Sequence, residues 1–429
     1  MAKWVTEIED PRRIPELLSR AFHTATGGRP GPVVIALPED MLDEAAEVAD
    51  AQPYVPVEGH PGADQMAALR ALLAESARPL VLLGGGGWDR VAVEQIEAFA
   101  AASRLPTATV FRRQDHFDNT HPCYQGDVGI GINPKLAARV KEADLLVAVG
   151  TRLSEIATSS YTLLDIPVPR QKLVHIHPDP DELGRVYRPT LAINTGPRAF
   201  AAAAAALEPF RDPAWAALAT AGHADFIAWQ TPVTSPGALQ MSEVVRWLVA
   251  HLPADAVITN GAGNFATWVH RFYTWRRFGT QLAPTAGSMG YGFPAAVAAK
   301  FLHPERTVVC VAGDGDFLMT GQEFATAVQQ RLGVIVLVVN NGMYGTIRMH
   351  QERHYPGRVV GTTLQNPDFV ALARAYGGHG ELVERTADFP AAFARAAAAG
   401  GPALIELRPD PEAITIRQTI TDLRAQARG

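Results

Sequence analysis

The chain has 429 residues, of which 47% are hydrophobic and 19% charged, a composition typical of folded globular proteins. One hydrophobic core rarely holds so many residues, so two or three domains are expected. The net charge of −6 is spread along the chain, which argues against nucleic acid or a membrane as partner. Two isolated cysteines, no apolar stretch of membrane-spanning length and an acidic start predict a cytoplasmic protein without disulfides or a signal peptide.

Residues 1–49 predict a helix followed by a strand. Asp10-Pro11 is a typical helix start, and the apolar run at 32–38 is bounded by prolines, as short buried strands often are. A lone helix–strand unit cannot form a parallel sheet, so we expect this segment to be the end of a domain whose upstream part is missing. Residues 50–64, rich in Pro, Gly, Val and acidic residues, predict a linker.

Strand-like and helical stretches alternate over residues 65–208. This alternation predicts right-handed crossovers and a doubly wound parallel sheet, here a Rossmann-like central domain. The predicted strands are 79–83, 107–111, 144–149 and 172–176, and the predicted helices are 91–102, 134–142 and 199–207. Residues 209–237 are expected to be a connector with some helix.

A further α/β domain is predicted over residues 238–410, followed by a tail at 411–429. Its β-branched runs are typical of strands buried on both faces. The predicted strands are 256–259, 307–311, 334–339 and 403–407, with helices around 244–249 and 294–300. The fold class is therefore α/β, with two doubly wound parallel-sheet domains preceded by the remnant of a third.

Polar residues follow two of the β-branched runs, at the point where each run ends. Gly313-Asp314-Gly315 follows the first and Asn340-Asn341 follows the second. In a doubly wound sheet, ligands bind outside the carboxyl ends of the strands, where adjacent strands bring two such loops together. Glycines let backbone N–H groups approach phosphate oxygens, and the oxygens of Asp314 and Asn341 suit Mg²⁺. The pattern predicts a site for a phosphate group and Mg²⁺.

Asp314 and Asp316 could also belong to a calcium-binding loop. However, no glycine lies at the sixth position of such a loop, and Ala325 stands where the bidentate glutamate belongs. Each of the two motifs alone is also a common structural turn. Their joint occurrence after two buried strands separated by one helix favours the phosphate-binding interpretation.

The joint pattern resembles the signature of thiamine-diphosphate enzymes of the acetolactate synthase and pyruvate decarboxylase type, most of all acetolactate synthase large subunits. Stretches at 27–40, 149–152, 175–179 and 287–296 are similar to parts of the family's pyrimidine-binding, central and pyrophosphate-binding domains. The resemblance implies a decarboxylating carboligase that acts on 2-keto acids with thiamine diphosphate and Mg²⁺, as a homodimer or homotetramer. A 2-keto acid decarboxylase, a carbon–carbon lyase or a non-catalytic cofactor-binding remnant are the alternatives.

The resemblance also implies roles for single residues. Asp314, Asn341 and the backbone carbonyl of Met343 would be the Mg²⁺ ligands. Met289 would be the apolar wedge that holds the cofactor bent, and the Gly287 carbonyl would accept a hydrogen bond from its 4′-amino group. The other residues implied to contact the cofactor are Gly263, Asn264, Phe265, Gly313, Gly315, Asp316, Tyr344 and Gly345. Of these, Gly315, Asp316, Tyr344 and Gly345 would hold the diphosphate through backbone donors.

Asp316 departs from the family, because many relatives carry serine at this position. A carboxylate beside a phosphate is repulsive, so we expect Asp316 to cap the following helix. Arg348, His350 and Gln351 are candidates for recognising a substrate carboxylate, with an ordinary surface helix as the alternative. His23, His175 and His177 are expected to be structural.

Acetolactate synthases bind FAD in the central domain. Here the four glycines at 84–87 lack the full dinucleotide-binding spacing, and residues 153–156 lack the acidic pair and second arginine that follow the position of Arg152 in true synthases. We therefore favour a central domain without FAD and keep FAD as the alternative. A flavin absorbance band in the pure protein would decide between them.

The family's proton relay starts at a glutamate of the N-terminal domain, and none of Glu7, Glu9 and Glu16 lies in its motif. We therefore name no catalytic residue and expect little or no acetolactate from pyruvate when this polypeptide is assayed alone with thiamine diphosphate and Mg²⁺. Robust acetolactate formation would contradict this expectation. Product analysis with and without an acceptor aldehyde would separate a carboligase from a decarboxylase or lyase.

Overall fold

The structure, a computed structural model, describes residues 2–427. Its first unit is a small βαβ arrangement in which two parallel strands pair in register from Trp4 opposite Val33 to Glu7 opposite Ala36. The elements are β1 (Trp4–Glu7), α1 (Ile14–Thr26), β2 (Val33–Ala36) and α2 (Glu39–Leu42). The expectation of a lone helix–strand unit without a sheet was therefore wrong. The strand at 4–7 is too short and too polar to stand out as an apolar run.

The second unit is a six-stranded, fully parallel sheet flanked by helices. The strand order is β5-β4-β3-β6-β7-β8. The elements are α3 (Ala63–Glu75), β3 (Pro79–Leu83), α4 (Arg90–Ala102), β4 (Thr107–Val110), β5 (Tyr124–Val128), α5 (Pro134–Glu142), β6 (Leu145–Val149), β7 (Lys172–His177), β8 (Leu191–Asn194), α6 (Pro197–Ala205) and α7 (Ala216–Trp229). The predicted doubly wound central sheet is confirmed.

The third unit is a second six-stranded parallel sheet, with strand order β10-β9-β11-β12-β14-β13. The elements are α8 (Met241–His251), β9 (Val257–Asn260), α9 (Ala266–Phe272), β10 (Gln281–Leu282), α10 (Gly292–Leu302), β11 (Val308–Gly313), α11 (Asp314–Phe317), α12 (Phe324–Gln329), β12 (Val334–Val339), α13 (Gly345–His354), α14 (Phe369–Ala375), β13 (His379–Val383), α15 (Phe389–Ala398), β14 (Ala403–Leu407) and α16 (Ile420–Gln426). The fold class is confirmed, whereas the domain limits given above stay predictions.

The strand order of the third unit creates a crevice. From β9 the chain crosses to β10 at one edge of the sheet, and from β11 it crosses to β12 on the other side. The loops that leave the carboxyl ends of β9 and β11 therefore diverge, although the two strands are neighbours. Ligands of doubly wound sheets bind at such a switch point, which here lies beside the Gly313-Asp314-Gly315 motif.

Four strands of the two large sheets were not predicted, namely β5, β8, β10 and β13. All four are edge strands. Central strands are covered on both faces and on both sides, so they appear in the sequence as apolar, β-branched runs. Edge strands carry no such constraint, and β5 contains the polar Gln125 and Asp127 while β13 contains His379 and Glu381.

The segment after β4 joins the two large sheets. The Asp115 carboxylate accepts hydrogen bonds from the backbone N–H groups of Gly279, Thr280 and Gln281, at 3.0, 3.1 and 3.2 Å. Burial raises the pKa of Asp115 to about 6, and the three N–H donors oppose that rise. A buried carboxylate that is held by three donors fixes the edge strand β10 against the central sheet.

The C-terminal helix α16 is anchored to α13 by a buried ion-pair cluster. Glu352, whose side chain is fully buried, accepts from Arg424 at 2.7 and 2.8 Å, from Arg348 at 2.7 Å and from the Gly357 N–H at 2.8 Å. These donors, Arg424 first, lower the pKa of Glu352 to about 2. The anchor holds the segment before α16 over the crevice. Among residues 2–427, no helix combines the length and apolar character needed to cross a membrane.

We expect Glu352→Gln to lower the free energy of unfolding by about 2 kcal/mol at neutral pH, because two arginines lose their carboxylate. The Glu352 pKa is lower in the folded chain than its ordinary value of 4.5, so this stabilisation is fully present above pH 4.5 and lost as the pH falls toward 2. The difference between wild type and variant in thermal unfolding should shrink over that pH range. The control is Glu384→Gln, which removes an exposed ion pair with Arg408. Equal effects of the two substitutions would contradict the buried anchor.

Candidate cofactor-binding cavity

A cavity of about 270 Å³ opens at the switch point of the third unit. Its walls come from the loops after β9, β10, β11 and β12 and from the C-terminal segment. All thirteen residues predicted to contact the cofactor line it, namely Gly263, Asn264, Phe265, Gly287, Met289, Gly313, Asp314, Gly315, Asp316, Asn341, Met343, Tyr344 and Gly345. These residues come from loops that are far apart in the sequence, and the strand order brings the loops together in one cavity.

Asp314 is the one carboxylate among the three predicted Mg²⁺ ligands. It is 3% exposed, and its Oδ1 accepts from the Gly315 N–H at 2.9 Å. Its Oδ2 accepts from the Gly342 N–H at 2.9 Å and from the Asn366 side chain at 2.8 Å. Burial raises the pKa of Asp314, and these hydrogen bonds oppose the rise. A cation in the cavity would further stabilise the charged form of this carboxylate.

The two asparagines after β12 have different roles. Asn340 turns away from the cavity and donates to the buried Glu406 at 2.8 Å. Asn341 lines the cavity, and its Oδ1 accepts from the Met343 N–H at 3.2 Å. The second asparagine is therefore the one that can offer an oxygen to a metal ion.

Asn366 is a residue that the sequence analysis missed. Its side-chain amide donates to Asp314 Oδ2 and to Asn340 Oδ1, both at 2.8 Å. It thus holds the carboxylate after β11 and the amide after β12 at a fixed separation. The residue lies in an irregular segment before α14, and no local motif marks it.

The backbone donors of the cavity differ in part from the prediction. The Gly315 N–H donates to Asp314 Oδ1 and the Tyr344 N–H donates to the Thr362 carbonyl, both at 2.9 Å, so neither group is free to hold the diphosphate as predicted. The antiparallel pairing of Met343 with Thr363 imposes the bond between Tyr344 and Thr362.

Gly345 begins α13, and the first-turn N–H groups of a helix have no hydrogen-bond partners within that helix. Gly345, Thr346 and Ile347 line the cavity, so their first-turn N–H groups are candidate donors to a bound anion.

The expectation that Asp316 caps a helix was also wrong. The N-cap of α11 is Gly313, because the helix starts directly after β11 and Asp316 already lies in its first turn. The Asp316 Oδ1 accepts from the Gly290 N–H at 2.8 Å and from the Ala262 N–H at 3.1 Å. One carboxylate thus ties together the loops after β9, β10 and β11. Burial raises the pKa of Asp316, against these donors.

The C-terminal segment closes one side of the cavity. Pro409, Ala413 and Ile414 line it, and the Ile414 carbonyl accepts from the Asn264 side chain at 3.0 Å. Asn264 also accepts from the Thr346 hydroxyl at 2.9 Å. No local motif predicts this contact, because it joins a tail to a loop that is distant in the sequence.

The three candidates for carboxylate recognition do not line the cavity. Arg348 is bound to Glu352, and Gln351 donates to the Val360 carbonyl at 2.7 Å. His350 is exposed beside His354, with ring centroids 6.4 Å apart. Arg348 therefore belongs to the buried anchor of α16, and of the three residues only His350 lies on an exposed helix face, as the surface-helix alternative expects.

In the central unit, the glycines after β3 are needed for packing. A Cβ on Gly85 would lie 1.9 Å from the Gly150 carbonyl oxygen, and one on Gly84 would lie 2.1 Å from Val110. Close contacts with β4 and with the loop after β6 therefore explain Gly84 and Gly85 without a phosphate group, whereas a Cβ on Gly86 would meet open space. Whether FAD binds here stays a prediction. His175 and His177 belong to β7 and are buried, in keeping with a structural role.

A substitution at Gly261 tests the position of the Asp316 carboxylate between the loops after β9 and β10. A Cβ at this position would lie 2.0 and 2.1 Å from the two Asp316 carboxylate oxygens. We expect Gly261→Ala to lower the free energy of unfolding by about 2 kcal/mol through this overlap. Thermal unfolding measures the effect, and Gly401→Ala is the control because a Cβ there meets open space. An unchanged melting temperature for Gly261→Ala would contradict the described contact.

Two protein-family models match the chain. Residues 66–204 match "Thiamine pyrophosphate enzyme, central domain" and residues 261–407 match "Thiamine pyrophosphate enzyme, C-terminal TPP binding domain". The second match contains every residue of the cavity except those of the C-terminal segment.

Known relatives agree with these matches. The chain is 32% identical to an acetolactate synthase large subunit of Parasynechococcus marenigrum, over 88% of this chain and 62% of the relative. It is 30% identical to a probable acetolactate synthase large subunit of Methanocaldococcus jannaschii, over 94% of this chain and 71% of the relative. It is 29% identical to the acetolactate synthase isozyme 2 large subunit of Escherichia coli, over 94% of this chain and 73% of the relative. The chain thus spans less than two thirds of the length of the first of these relatives. The two family matches and the similarity to these relatives show that the chain belongs to the thiamine pyrophosphate enzyme family, with acetolactate synthase large subunits among its relatives.

Proposed function

We propose that the cavity binds the diphosphate end of thiamine diphosphate together with Mg²⁺. We further propose that the protein is a decarboxylating carboligase of the acetolactate synthase type that acts on 2-keto acids. One observation carries the first proposal: Asp314 and Asn341 face the same cavity, beside the open first turn of α13. The names of the relatives support the second.

The donor set of the cavity fits Mg²⁺. This ion prefers a few hard protein oxygens and completes its octahedron with phosphate and water. Asp314 would supply a charged oxygen, Asn341 an amide oxygen and Met343 its backbone carbonyl. Within residues 2–427, no three His, Cys, Asp or Glu side chains cluster as metal ligands. An ion bound largely through a diphosphate does not require such a cluster.

The rest of the cavity fits a diphosphate. The N-terminus of α13 offers backbone N–H groups and the positive end of the helix dipole. Gly315 keeps the opposite wall close, since a Cβ there would lie 2.5 Å from the Tyr344 ring. The N–H groups of Gly290 and Ala262 both bind Asp316 Oδ1, so backbone donors engage that oxygen beside the anion, whereas Oδ2 has no hydrogen-bond partner among residues 2–427.

The apolar part of the cavity fits the ring system of the cofactor. Phe265 and Met289 line it, and Met289 is 36% exposed, so it is accessible from the cavity. Gly287 adopts a φ of +74°, which favours glycine and presents its peptide group to the cavity. We assign Met289 to hold the bent shape of the cofactor and the Gly287 carbonyl to accept from its amino group. When bound, thiamine diphosphate supplies the electron sink for loss of CO₂ from a 2-keto acid and for carbon–carbon bond formation.

The assembly is proposed to be a homodimer or homotetramer. The relatives' description as large subunits supports an assembly of several chains. Light scattering on the purified chain measures its oligomeric state, and a monomer at micromolar concentration would contradict this part of the proposal.

Calorimetry tests the site directly. Wild type should bind inorganic diphosphate and thiamine diphosphate only when Mg²⁺ is present. Asp314→Asn should abolish the Mg²⁺-dependent part, and Asn366→Ala should weaken it on the order of tenfold, because outer hydrogen bonds orient metal ligands. Asp368→Asn is the control, since this carboxylate caps α14 outside the cavity. Equal affinities with and without Mg²⁺, or in wild type and Asp314→Asn, would defeat the proposed metal site.

A further inference from the structure

The loop that carries Gly287 and Met289 is held at its N-terminal end by the central unit. This loop, residues 283–291, connects β10 with α10. The Pro284 carbonyl accepts from the Gly287 N–H at 3.1 Å, which closes a tight turn, and it also accepts from the guanidinium of Arg112. Arg112 lies just beyond β4 of the other sheet. A single carbonyl therefore links the turn at Gly287 to the central unit.

The second end of the loop is held by Asp316. The Gly290 N–H donates to Asp316 Oδ1 at 2.8 Å, and the Gly290 carbonyl accepts from the Thr320 hydroxyl at 2.8 Å. Gly290 has a φ of +78°, and a Cβ on it would lie 2.8 Å from Met319. Met289 thus sits next to a fixed peptide, while its own side chain is free to face the cavity.

Arg112 is an unusual residue to find at such a place. It is 5% exposed, yet its guanidinium binds the uncharged Pro284 carbonyl, and its Nε has no hydrogen-bond partner within residues 2–427. Its φ of +59° is in the left-handed region, which is costly for a side chain of this size. The guanidinium stacks on the Phe111 ring at 4.6 Å from its centre, and the negative charges of Asp316 and Asp127 act on it electrostatically.

This arrangement is poor as a purely stabilising device. Removing a cation from water costs free energy, and a neutral carbonyl compensates less of that cost than a carboxylate in direct contact would. The same arrangement is well suited to hold a loop, because a charge-assisted hydrogen bond to a carbonyl is stronger than a neutral one. Arg112 does not line the cavity, so it acts on the loop and not on a ligand.

We infer that Arg112 and Asp316 are positioning residues that brace the two ends of the loop at 283–291. They thereby fix Gly287 and Met289 against the ring system of thiamine diphosphate. The inference rests on the proposed function for its ligand, whereas the brace itself is a property of this chain. It assigns the central unit a part in shaping the cofactor cavity of its neighbour.

Two probes separate the loop from the diphosphate half of the cavity. Mg²⁺ with inorganic diphosphate reports on Asp314 and Asn341, and Mg²⁺ with thiamine diphosphate reports on the whole cavity. Arg112→Met removes the donor but keeps an apolar side chain over Phe111. We expect it to weaken thiamine diphosphate binding on the order of tenfold, through loss of a charge-assisted hydrogen bond, and to leave the affinity for inorganic diphosphate unchanged.

Hydrogen exchange provides a readout that needs no cofactor. In Arg112→Met the amide of Gly287 should exchange faster, and in Asp316→Ala the amide of Gly290 should do so. Arg112→Lys, which can still donate to the Pro284 carbonyl, should restore part of the protection and of the affinity. The control is Arg246→Met, because Arg246 is a half-buried arginine that also donates to a carbonyl, that of Phe272, away from the cavity.

The outcomes distinguish the brace from the proposed function. If wild type binds neither probe but Gly287 exchanges faster in Arg112→Met, the brace stands and the proposed function fails. If wild type binds both probes and Arg112→Met matches it in exchange and in both affinities, the brace is refuted. Equal weakening of both probes together with faster exchange throughout the chain would also refute it, since that result indicates general loss of stability. Arg112→Lys keeps the test decisive if Arg112→Met does not fold.

Discussion

The parallel pairing of β9, β11 and β12 is the constraint on which the candidate site depends. Because these strands run in the same direction, their carboxyl ends lie at one edge of the sheet, and their loops meet there although the chain separates them by dozens of residues. The crossover from β9 to β10 on one side and from β11 to β12 on the other opens a crevice between the loops. The cavity is therefore a consequence of connectivity before any side chain is considered.

Buried polar groups then give the crevice a defined shape. Asp314 receives donors from Gly315, Gly342 and Asn366, and Asp316 receives donors from Ala262 and Gly290. Each carboxylate is thus anchored to backbone from a different strand end, which fixes the separation of the loops. Buried charges of this kind are costly unless they are satisfied, and their retention next to a cavity is typical of functional sites.

The sequence predicted central elements well and peripheral ones poorly. The limits of 79–83, 334–339 and 403–407 agree with β3, β12 and β14 as found, because strands covered on all sides must be apolar throughout. The edge strands β5, β8, β10 and β13 were missed, since their sequences meet weaker demands. In and around the cavity, the loop motifs after β11 and β12 were recognisable, whereas Asn366, Ile414 and Arg112 were not. These three act through contacts between distant segments, which leave no spacing to detect.

The sequence by itself determined the chemical type of the cavity. Glycines, one carboxylate and an amide after two buried strands specify close backbone approach and hard oxygen ligands, because those properties belong to the residue types and to their positions along the chain. Only the tertiary structure decided which groups are free to act. It showed that the Tyr344 N–H is taken by Thr362, that Asp316 binds two loops instead of capping a helix, and that Arg348 is held by Glu352. Hydrogen bonds between distant segments decide such matters, and they depend on packing that no local pattern encodes.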